Sequence, residues 1–459
     1  MENRLEKSRL KPWQEISDLL HTRVPVQQIE AVLQELNPAE LLHTVFSLSP
    51  DDQRALLSIL PTSLSTSLIE DLPDAHVADL IEDMPPEAAA DIVEALSSDH
   101  RADVLGELDD EDAAAIIAEL GDEHASEARE LIAYKPDQAG GLMMTEFAAY
   151  PMASTVRSVV EDLTSGEREY SLLTVHYIYV VVKRRKLKGV IRIRDLVFAD
   201  PDKKIGELAR PALTVAPDAT LDDLEYFFDE HDIAAVPVVG PQNQLLGIVR
   251  RRSLLEALAE RAESDHLKAA GIIGGDELRS MPTLLRSKRR LSWLTINIGL
   301  NIIAASVIAA YEDTLTAVIA LAVFLPIVSD MSGCSGNQAV AVSMRELTLG
   351  AATPKDVFRV LRKEATVGII NGIALGILLG LVAWAWKGNP TLGFVAGGAL
   401  AANTLIAVCI GGTVPLMLRK YKFDPAVASG PLLTTVTDVC GFFLLLSLAS
   451  LVLPALSAQ

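Results

Sequence analysis

The chain has 459 residues, of which 61 are acidic and 40 are basic, so its formal net charge at pH 7 is -21. This negative charge argues against a nucleic-acid partner, because a phosphate backbone binds Lys and Arg patches that replace its counterions. The three cysteines, Cys334, Cys409 and Cys440, show no C-x-x-C spacing, which argues against a disulfide framework and against a zinc site. Long apolar runs dominate only from Leu291 onward, so a soluble acidic half precedes a membrane half.

The first half carries a repeat of 12 residues. The segment from Met1 to Trp13 is charged and has no apolar core, which predicts that no signal peptide is present and that this half stays in the cytoplasm. Leucine or methionine then recurs at Leu36, Leu48, Leu60, Leu72, Met84, Leu96, Leu108 and Leu120. This period predicts short helices, each ended by a turn and restarted by a capping residue, that stack into an acidic all-α superhelix over residues 15–137.

The acidity of this superhelix is pronounced, because residues 51–137 hold 24 acidic residues and four basic ones. For a single aspartate a solvated surface position is the ordinary interpretation. A face with this density of carboxylates also attracts divalent cations.

A second repeat, of 58 residues, follows the Gly140-Gly141 pair. The strand pattern Ile178–Val182 in the first copy matches Val236–Val239 in the second, and each copy predicts a strand, a turn, a strand and a helix. The segments Ala234-Ala-Val-Pro-Val-Val and Leu246-Gly-Ile-Val resemble a cystathionine beta-synthase (CBS) domain. We therefore expect an α/β pair of CBS domains at residues 138–200 and 201–258.

The resemblance to CBS domains also bears on nucleotide binding. Such pairs often bind adenine nucleotides through a Thr or Ser and an Asp, placed three and six residues after a strand glycine. These positions hold Arg192 and Asp195 in the first copy, and Arg250 and Ser253 in the second. Because only Asp195 matches, a structural or dimerising role is favoured for the pair, and nucleotide binding stays open.

The second half contains five apolar runs that are long enough to cross about 30 Å of hydrocarbon. They cover residues 291–311, 315–328 with a polar extension, 366–386, 392–418 and 431–452. Basic clusters at 286–290, 345–363 and 419–422 all fall on one side of these spans, so the positive-inside rule places the N-terminus in the cytoplasm and the C-terminus outside. The sequence thus predicts a five-helix transmembrane domain over residues 286–459, in the inner or plasma membrane.

Polar residues and glycines interrupt the second predicted span, and at membrane depth they are tolerated only where they line a cavity or are buried by protein. Asp330, Asn337 and Gln338 are the candidates for pore lining, with polar helix packing as the alternative. Asp330 has another alternative, a position near the cytoplasmic interface where it pairs with a base. The third span carries glycine at every fourth position from Gly368 to Gly380, which predicts a close-packed helix seam.

Asp438 lies inside the last apolar run. A carboxylate at this depth costs roughly 2.5 to 3.5 kcal/mol on insertion scales, so such a residue usually faces a water-filled path and binds an ion. Thr434 lies one helical turn earlier on the same face, and Thr435 and Thr437 add further hydroxyls. One or two carboxylates and several retained waters suit Mg2+. A transition metal prefers His or Cys, and Cys440 lies on a different face, so a thiolate site is a minor alternative.

The order of these parts resembles the MgtE family of magnesium channels over nearly the whole chain. The segments that carry the resemblance are Ala139-Gly-Gly-Leu-Met, Tyr177-Ile-Tyr-Val-Val, Gly336-Asn-Gln338, Phe423-Asp-Pro425 and the run from Ala428 to Asp438. The resemblance implies that Asp438 of two subunits in a homodimer selects hydrated Mg2+, with Thr434 beside the water shell of the ion.

The resemblance further implies that Mg2+ bound to cytoplasmic carboxylates holds the dimer shut. The matching positions are Glu256 and Asp265, on a helix from about Leu254 to Ala270 that leads into a connecting, plug-like segment at 259–285. Asp424, in the loop before the last span, is a further ligand candidate. Its alternative role is an N-cap ahead of Pro425.

Arg251 and Arg252 depart from the family, which commonly carries acids at these positions, and the basic turn Lys183–Lys186 departs in the same way. Guanidinium groups cannot ligate Mg2+ and repel it. We therefore expect closure that depends less on bound Mg2+, or that uses pairs between arginine and the carboxylates of the superhelix.

These features predict a multidomain, homodimeric membrane protein that conducts Mg2+ down its electrochemical gradient and is gated by its cytoplasmic domains. Its partners would be Mg2+, membrane lipid and a second copy of the chain. No nucleophile, base and orienting group occur together and no Walker lysine motif is present, so we predict neither catalysis nor an ATP-driven pump. The alternatives are a transporter of another divalent cation such as Co2+ or Mn2+, and a membrane-anchored CBS sensor that transports nothing.

Overall fold

The computed structural model describes residues 11–22, 24–70, 72–165, 175–272, 277, 279, 281 and 283–457. The chain divides into two compact units. The first comprises Met1–Arg261 with Leu278–Met281, and the second comprises Ala262–Glu277 with Pro282–Gln459.

Ten short helices form the N-terminal part of the first unit, as the 12-residue period predicts. They are α1 (Pro12–Thr22), α2 (Val26–Gln34), α3 (Pro38–Ser47), α4 (Pro50–Ile59), α5 (Thr62–Glu70), α6 (Asp74–Glu82), α7 (Pro86–Glu94), α8 (Ser98–Glu107), α9 (Asp110–Glu119) and α10 (Asp122–Leu131). From α4 onward, each helix packs against the helix that comes two places later in the chain, as α6 does with α8. One hydrophobic core extends from Ile16 to Ala128.

The residues of the period have a structural role in this stack. Leu48, Leu60 and Leu120 directly follow the ends of their helices and are buried in the core. Some helices restart as expected, since Asn37 forms a capping box with Glu40 at the start of α3. Others restart without a side-chain cap: Asp109 precedes α9 but accepts no capping hydrogen bond. The superhelix is therefore confirmed, although its capping is not uniform.

The rest of the first unit is built on one five-stranded sheet. Its elements are β1 (Ala149–Pro151), α11 (Val156–Thr164), β2 (Tyr177–Val182), β3 (Lys186–Arg192), α12 (Ile193–Val197), α13 (Ile205–Leu208), α14 (Leu221–Glu230), β4 (Ala235–Gly240), β5 (Gln244–Arg250) and α15 (Arg251–Ala269). The strand order is β1-β2-β3-β5-β4, so two antiparallel hairpins meet through Lys186 and Gln244. Both hairpins carry a register shift at equivalent positions, which confirms the 58-residue repeat.

Helix α15 begins at Arg251, three residues earlier than expected, and ends at Ala269. It contains the boundary between the two compact units, after Arg261. The predicted connecting segment at 259–285 lies partly outside the described residues.

The second unit contains seven helices within residues 283–457: α16 (Thr283–Ala310), α17 (Glu312–Ala317), α18 (Leu321–Thr348), α19 (Val357–Lys387), α20 (Pro390–Lys420), α21 (Pro425–Leu451) and α22 (Leu453–Ser457). In the described part of the chain, four stretches are long and apolar enough to cross a membrane, namely Thr283–Ala310, Pro354–Lys387, Pro390–Lys420 and Leu432–Leu451. Helix α18 has 28 residues but is more polar, and it packs against α20 and α21.

The second predicted span therefore begins at Leu321, and the expected start at Leu315 was wrong. The short helix α17 ends at Ala317, because Val318 leaves the helical region with φ -136° and ψ 77°. Hydropathy alone could not locate this break, since Val318 and its neighbours are apolar.

The glycine seam of α19 is confirmed. A Cβ atom on Gly372 would lie 2.6 Å from the carbonyl oxygen of Ala401, and one on Gly376 would lie 2.6 Å from that of Gly397. Helices α19 and α20 thus pack backbone to backbone, which only glycine permits at these positions.

Candidate functional site

Asp438 lies in the middle of α21, where its side chain is half-buried. The hydroxyl of Ser329, on the neighbouring helix α18, donates a hydrogen bond to Oδ1 of Asp438. The next residue of α18, Asp330, is exposed. The Asp438 carboxylate is therefore neither sealed in the core nor paired with a described cation, and one of its oxygens is held by a hydroxyl.

Helix α18 buries apolar residues together with four serines, and part of its exposed side carries a cluster of polar residues. Leu321, Phe324 and Val328 are buried. The exposed positions include Asp330, Cys334, Asn337 and Gln338, which share one helix face. The three predicted lining residues thus lie together on a surface of α18 that no other part of the described chain covers.

Asn403 of α20 links the two helices that carry this site. It has no solvent exposure, and its Nδ2 donates to the carbonyl oxygen of Thr437 at 3.0 Å and to that of Val328 at 3.4 Å. Thr437 is also fully buried, and its hydroxyl donates to the Thr434 carbonyl. The sequence analysis missed Ser329 and Asn403, although an asparagine inside a long apolar run was a signal that could have been used.

Thr434 is exposed on α21, one turn before Asp438, as its spacing predicts. Its hydroxyl donates to the carbonyl oxygen of Gly430 within the same helix. The oxygen of that hydroxyl keeps its capacity to accept a hydrogen bond.

Glycines bring α18, α20 and α21 close together at this level. A Cβ atom on Gly411 would lie 2.2 Å from the carbonyl oxygen of Gly336, and one on Gly336 would lie 2.9 Å from the side chain of Leu433. The segment containing Gly336 is therefore used for close packing, while its neighbours Asn337 and Gln338 face outward.

The predicted cytoplasmic ligands have local partners. Asp424 is the N-cap of α21: its Oδ1 accepts from the amide of Ala426 at 2.8 Å, and its Oδ2 lies 3.6 Å from Nζ of Lys268. Glu256 pairs with Arg252 one turn earlier on α15. Asp265 is half-buried. Within the described residues, no three His, Cys, Asp or Glu side chains are grouped closely enough to hold a metal ion.

Arg250 at the end of β5 and Arg251 at the start of α15 have different roles. Arg250 donates to Oδ2 of Asp99 in α8 at 3.0 Å and so pairs with a carboxylate of the superhelix. Arg251 instead donates to the backbone carbonyls of Phe228, His231 and Ile233. Arg250 therefore reaches the superhelix, a role that the sequence analysis did not assign to it, whereas Arg251 contacts carbonyl oxygens at and just after the end of α14. The use of arginine–carboxylate pairs in closure stays a prediction.

His100 and Asp103 are two titratable groups on α8, the helix that also carries Asp99 of the ion pair with Arg250. A hydrogen bond with Asp74 raises the pKa of His100 to about 9. Burial raises the pKa of Asp103 to about 8, and the nearby charges of Asp74 and Asp99 add to the effect.

In the first CBS copy, Asp195 pairs with Arg192 at 3.0 Å and with Arg210 at 3.4 Å.

Fold and site together define a membrane transporter with a helical acidic domain and a CBS pair. The chain matches three families: the MgtE intracellular N domain over residues 20–137, the CBS domain over 205–260, and MgtE, described as a divalent cation transporter, over 325–448. It is 32% identical to the magnesium transporter MgtE of Bacillus subtilis (strain 168), covering 71% of this chain and 72% of the relative. It is 33% identical to that of Thermus thermophilus, covering 72% and 73%.

The chain belongs to the MgtE family of magnesium transporters, which confirms the resemblance seen in the sequence. Solved structures that resemble it include the soluble part of a magnesium transporter, with 27% identity and a TM-score of 0.48 over 55% of this chain and 98% of that one. Another is the cytosolic domain of the Mg2+ channel MgtE in complex with ATP, with 29% identity and a TM-score of 0.47 over 53% and 98%.

Proposed function

We propose that this protein is a homodimeric, Mg2+-selective channel in which Asp438 of each copy flanks the path of a hydrated ion moving down its electrochemical gradient. The observation that carries the proposal is the polar face of α18, which is exposed beside a half-buried Asp438 that Ser329 holds. In a membrane, polar side chains such as Asn337 and Gln338 face water or another protein surface, because contact with lipid is costly.

A second copy accounts for the composition of the site. One chain supplies Asp438 and, at an exposed position of the neighbouring helix α18, Asp330, and the described residues hold no group of three metal ligands. Mg2+ is typically bound by one or two carboxylates and keeps most of its waters. A two-fold axis beside α18 and α21 would bring two Asp438 side chains together, and water between them would leave binding weak enough for the ion to pass.

Gating by the cytoplasmic domains follows from the same proposal. Asp424 and Glu256 are engaged by Lys268 and Arg252, respectively, so Mg2+ would have to displace a cation to bind either carboxylate. Asp424 would remain held at Oδ1 by the Ala426 amide while Oδ2 exchanged Lys268 for the ion. Asp265, between them on the chain, is the third regulatory ligand in this proposal.

The proposed orientation has the N-terminus in the cytoplasm and the C-terminus outside. Arginine and lysine occur at the start of α16, at the ends of α18 and α20, and at the start of α19. With five crossings, these ends all face one side of the membrane, which the positive-inside rule makes cytoplasmic. Protease accessibility of an epitope tag added after residue 459 tests this in sealed spheroplasts: cleavage from outside is expected, and full protection would contradict the orientation.

Uptake of Mg2+ into liposomes containing the purified full-length protein tests the proposed function. Asp438→Asn is expected to abolish most uptake, because the uncharged amide cannot replace the carboxylate as a partner for the dication. The matched control is Asp313→Asn, which removes the same charge from an exposed position in α17. Normal uptake by the Asp438 variant would exclude the site. Preferred uptake of Co2+ or Mn2+ would favour another divalent substrate, and no uptake by the wild type would favour a sensor.

A further inference from the structure

Asn403 contacts the backbone of both helices that build the Asp438 site. The two carbonyl groups that accept from its Nδ2 belong to Val328 and Thr437. Val328 directly precedes Ser329, and Thr437 directly precedes Asp438. One amide group therefore joins the two peptide units next to the hydrogen-bonded pair of Ser329 and Asp438.

We propose that Asn403 is a positioning residue for ion selection, which rests on the proposed role of Asp438. Its amide sets the separation and the rotation of α18 relative to α21, so that the Ser329 hydroxyl meets the Asp438 carboxylate. Asn403 itself is fully buried, so in this proposal it acts without binding the ion. Its effect is transmitted through the two backbone carbonyls, which are covalently attached to the residues that it positions.

The surroundings of the amide are shaped to admit it. A Cβ atom on Gly441 would lie 2.7 Å from Nδ2 of Asn403, a distance that side chains do not reach without moving one of the atoms. Gly441 is one turn after Thr437 on α21. A methyl group at Gly441 would thus displace the amide from both carbonyls without altering Asn403.

The cost of keeping Asn403 in the core argues for a role beyond packing. Its Oδ1 is buried and has no hydrogen-bond partner in the described part of the chain. A buried, unpaired polar atom is unfavourable, and an apolar side chain of similar shape would avoid that cost. The adjacent Thr404 is also fully buried with an unpartnered hydroxyl, but it makes no described hydrogen bond to α18 or α21, so it provides a matched control.

The test uses the full-length protein in liposomes, with uptake normalised to the folded, dimeric fraction. Asn403→Ala and Gly441→Ala are each expected to raise the Mg2+ concentration for half-maximal uptake, and to lower the Mg2+ to Co2+ uptake ratio, by about three- to tenfold, the scale of one interhelical hydrogen bond and the pair it positions. Thr404→Ala is expected to keep wild-type values. The double variant of Asn403 and Gly441 is expected to be no worse than the single variants, because both act through one contact.

Wild-type concentration dependence and wild-type ion ratio in both single variants would overturn the inference. So would failure of both variants to fold, since Asn403 would then be a structural residue. If only the Gly441→Ala variant folds, a lowered Mg2+ to Co2+ uptake ratio in that variant would support the inference, and a wild-type ratio would overturn it. These outcomes can be distinguished from a failure of the proposed function. Normal uptake by Asp438→Asn would contradict the proposed ion site itself. Wild-type behaviour of the Asn403 and Gly441 variants, together with an inactive Asp438 variant, would contradict only the positioning role of Asn403.

Discussion

Arg250→Ala is expected to loosen the junction between the acidic superhelix and the second CBS hairpin. Arg250 ends β5 and lies 3.0 Å from Asp99, whose side chain is 7% exposed, while the arginine side chain is 34% exposed. After truncation, the hydrogen bond from Ser97, at 2.6 Å, is the one that Asp99 would keep among the described residues. Since breaking a fully buried pair costs about 3–5 kcal/mol and an exposed pair about 0–1 kcal/mol, this half-screened pair is expected to contribute about 2 kcal/mol.

Hydrogen exchange of the full-length protein in detergent measures this loss locally. A loss of about 2 kcal/mol makes exchange of the protected amides of α8 and β5 about 30-fold faster. The matched control is Arg192→Ala, at the equivalent position 58 residues earlier, which pairs with Asp195 on the surface of its own CBS copy. That variant is expected to leave α8 unchanged. Adding Asp99→Asn to Arg250→Ala is expected to restore much of the protection, because no unpaired charge remains buried.

Equal exchange rates at α8 in the Arg250 and Arg192 variants would refute this reasoning. The ion pair would then be a surface contact without influence on the junction, and the expectation that arginine pairs hold the cytoplasmic domains together would lose its support.

Two further outcomes are expected. Gly376→Ala should destabilise the membrane unit by about 1–3 kcal/mol, because the new methyl group would lie 2.6 Å from the carbonyl oxygen of Gly397. The control Gly398→Ala should be neutral, because its methyl group would lie 4.0 Å from the nearest described atom, on Leu448. Equal melting temperatures of the two variants would contradict this prediction. Raising the pH from 7 to 9 should destabilise the junction. The stabilisation from protonated His100 is lost as the pH rises toward its folded-state pKa of about 9. Asp103, whose folded-state pKa is about 8, also loses its proton in this range and leaves a charged carboxylate in a buried position. In pH-dependent exchange at α8, Asp103→Asn should reduce this loss, and an unchanged profile would contradict it.

Local patterns were sufficient to predict most of the fold. The superhelix follows from a leucine that recurs every 12 residues, and the CBS pair follows from a 58-residue repeat of strand patterns, because both depend on short-range burial periods. The glycine seam of α19 was predictable for the same reason: one glycine per helical turn leaves one face without side chains.

The sequence by itself therefore determined the order of the domains, the apolar helices and the presence of a carboxylate in the last of them. Only the tertiary structure decided that Ser329, 109 residues away along the chain, meets that carboxylate, and that Asn403 bonds to the backbone carbonyls of Val328 and Thr437 beside this pair. It also decided that Arg250, rather than Arg251, reaches the superhelix. Periodicity and hydropathy describe which face of a helix is buried, whereas the partner of each side chain depends on how separate helices pack, which no local pattern encodes.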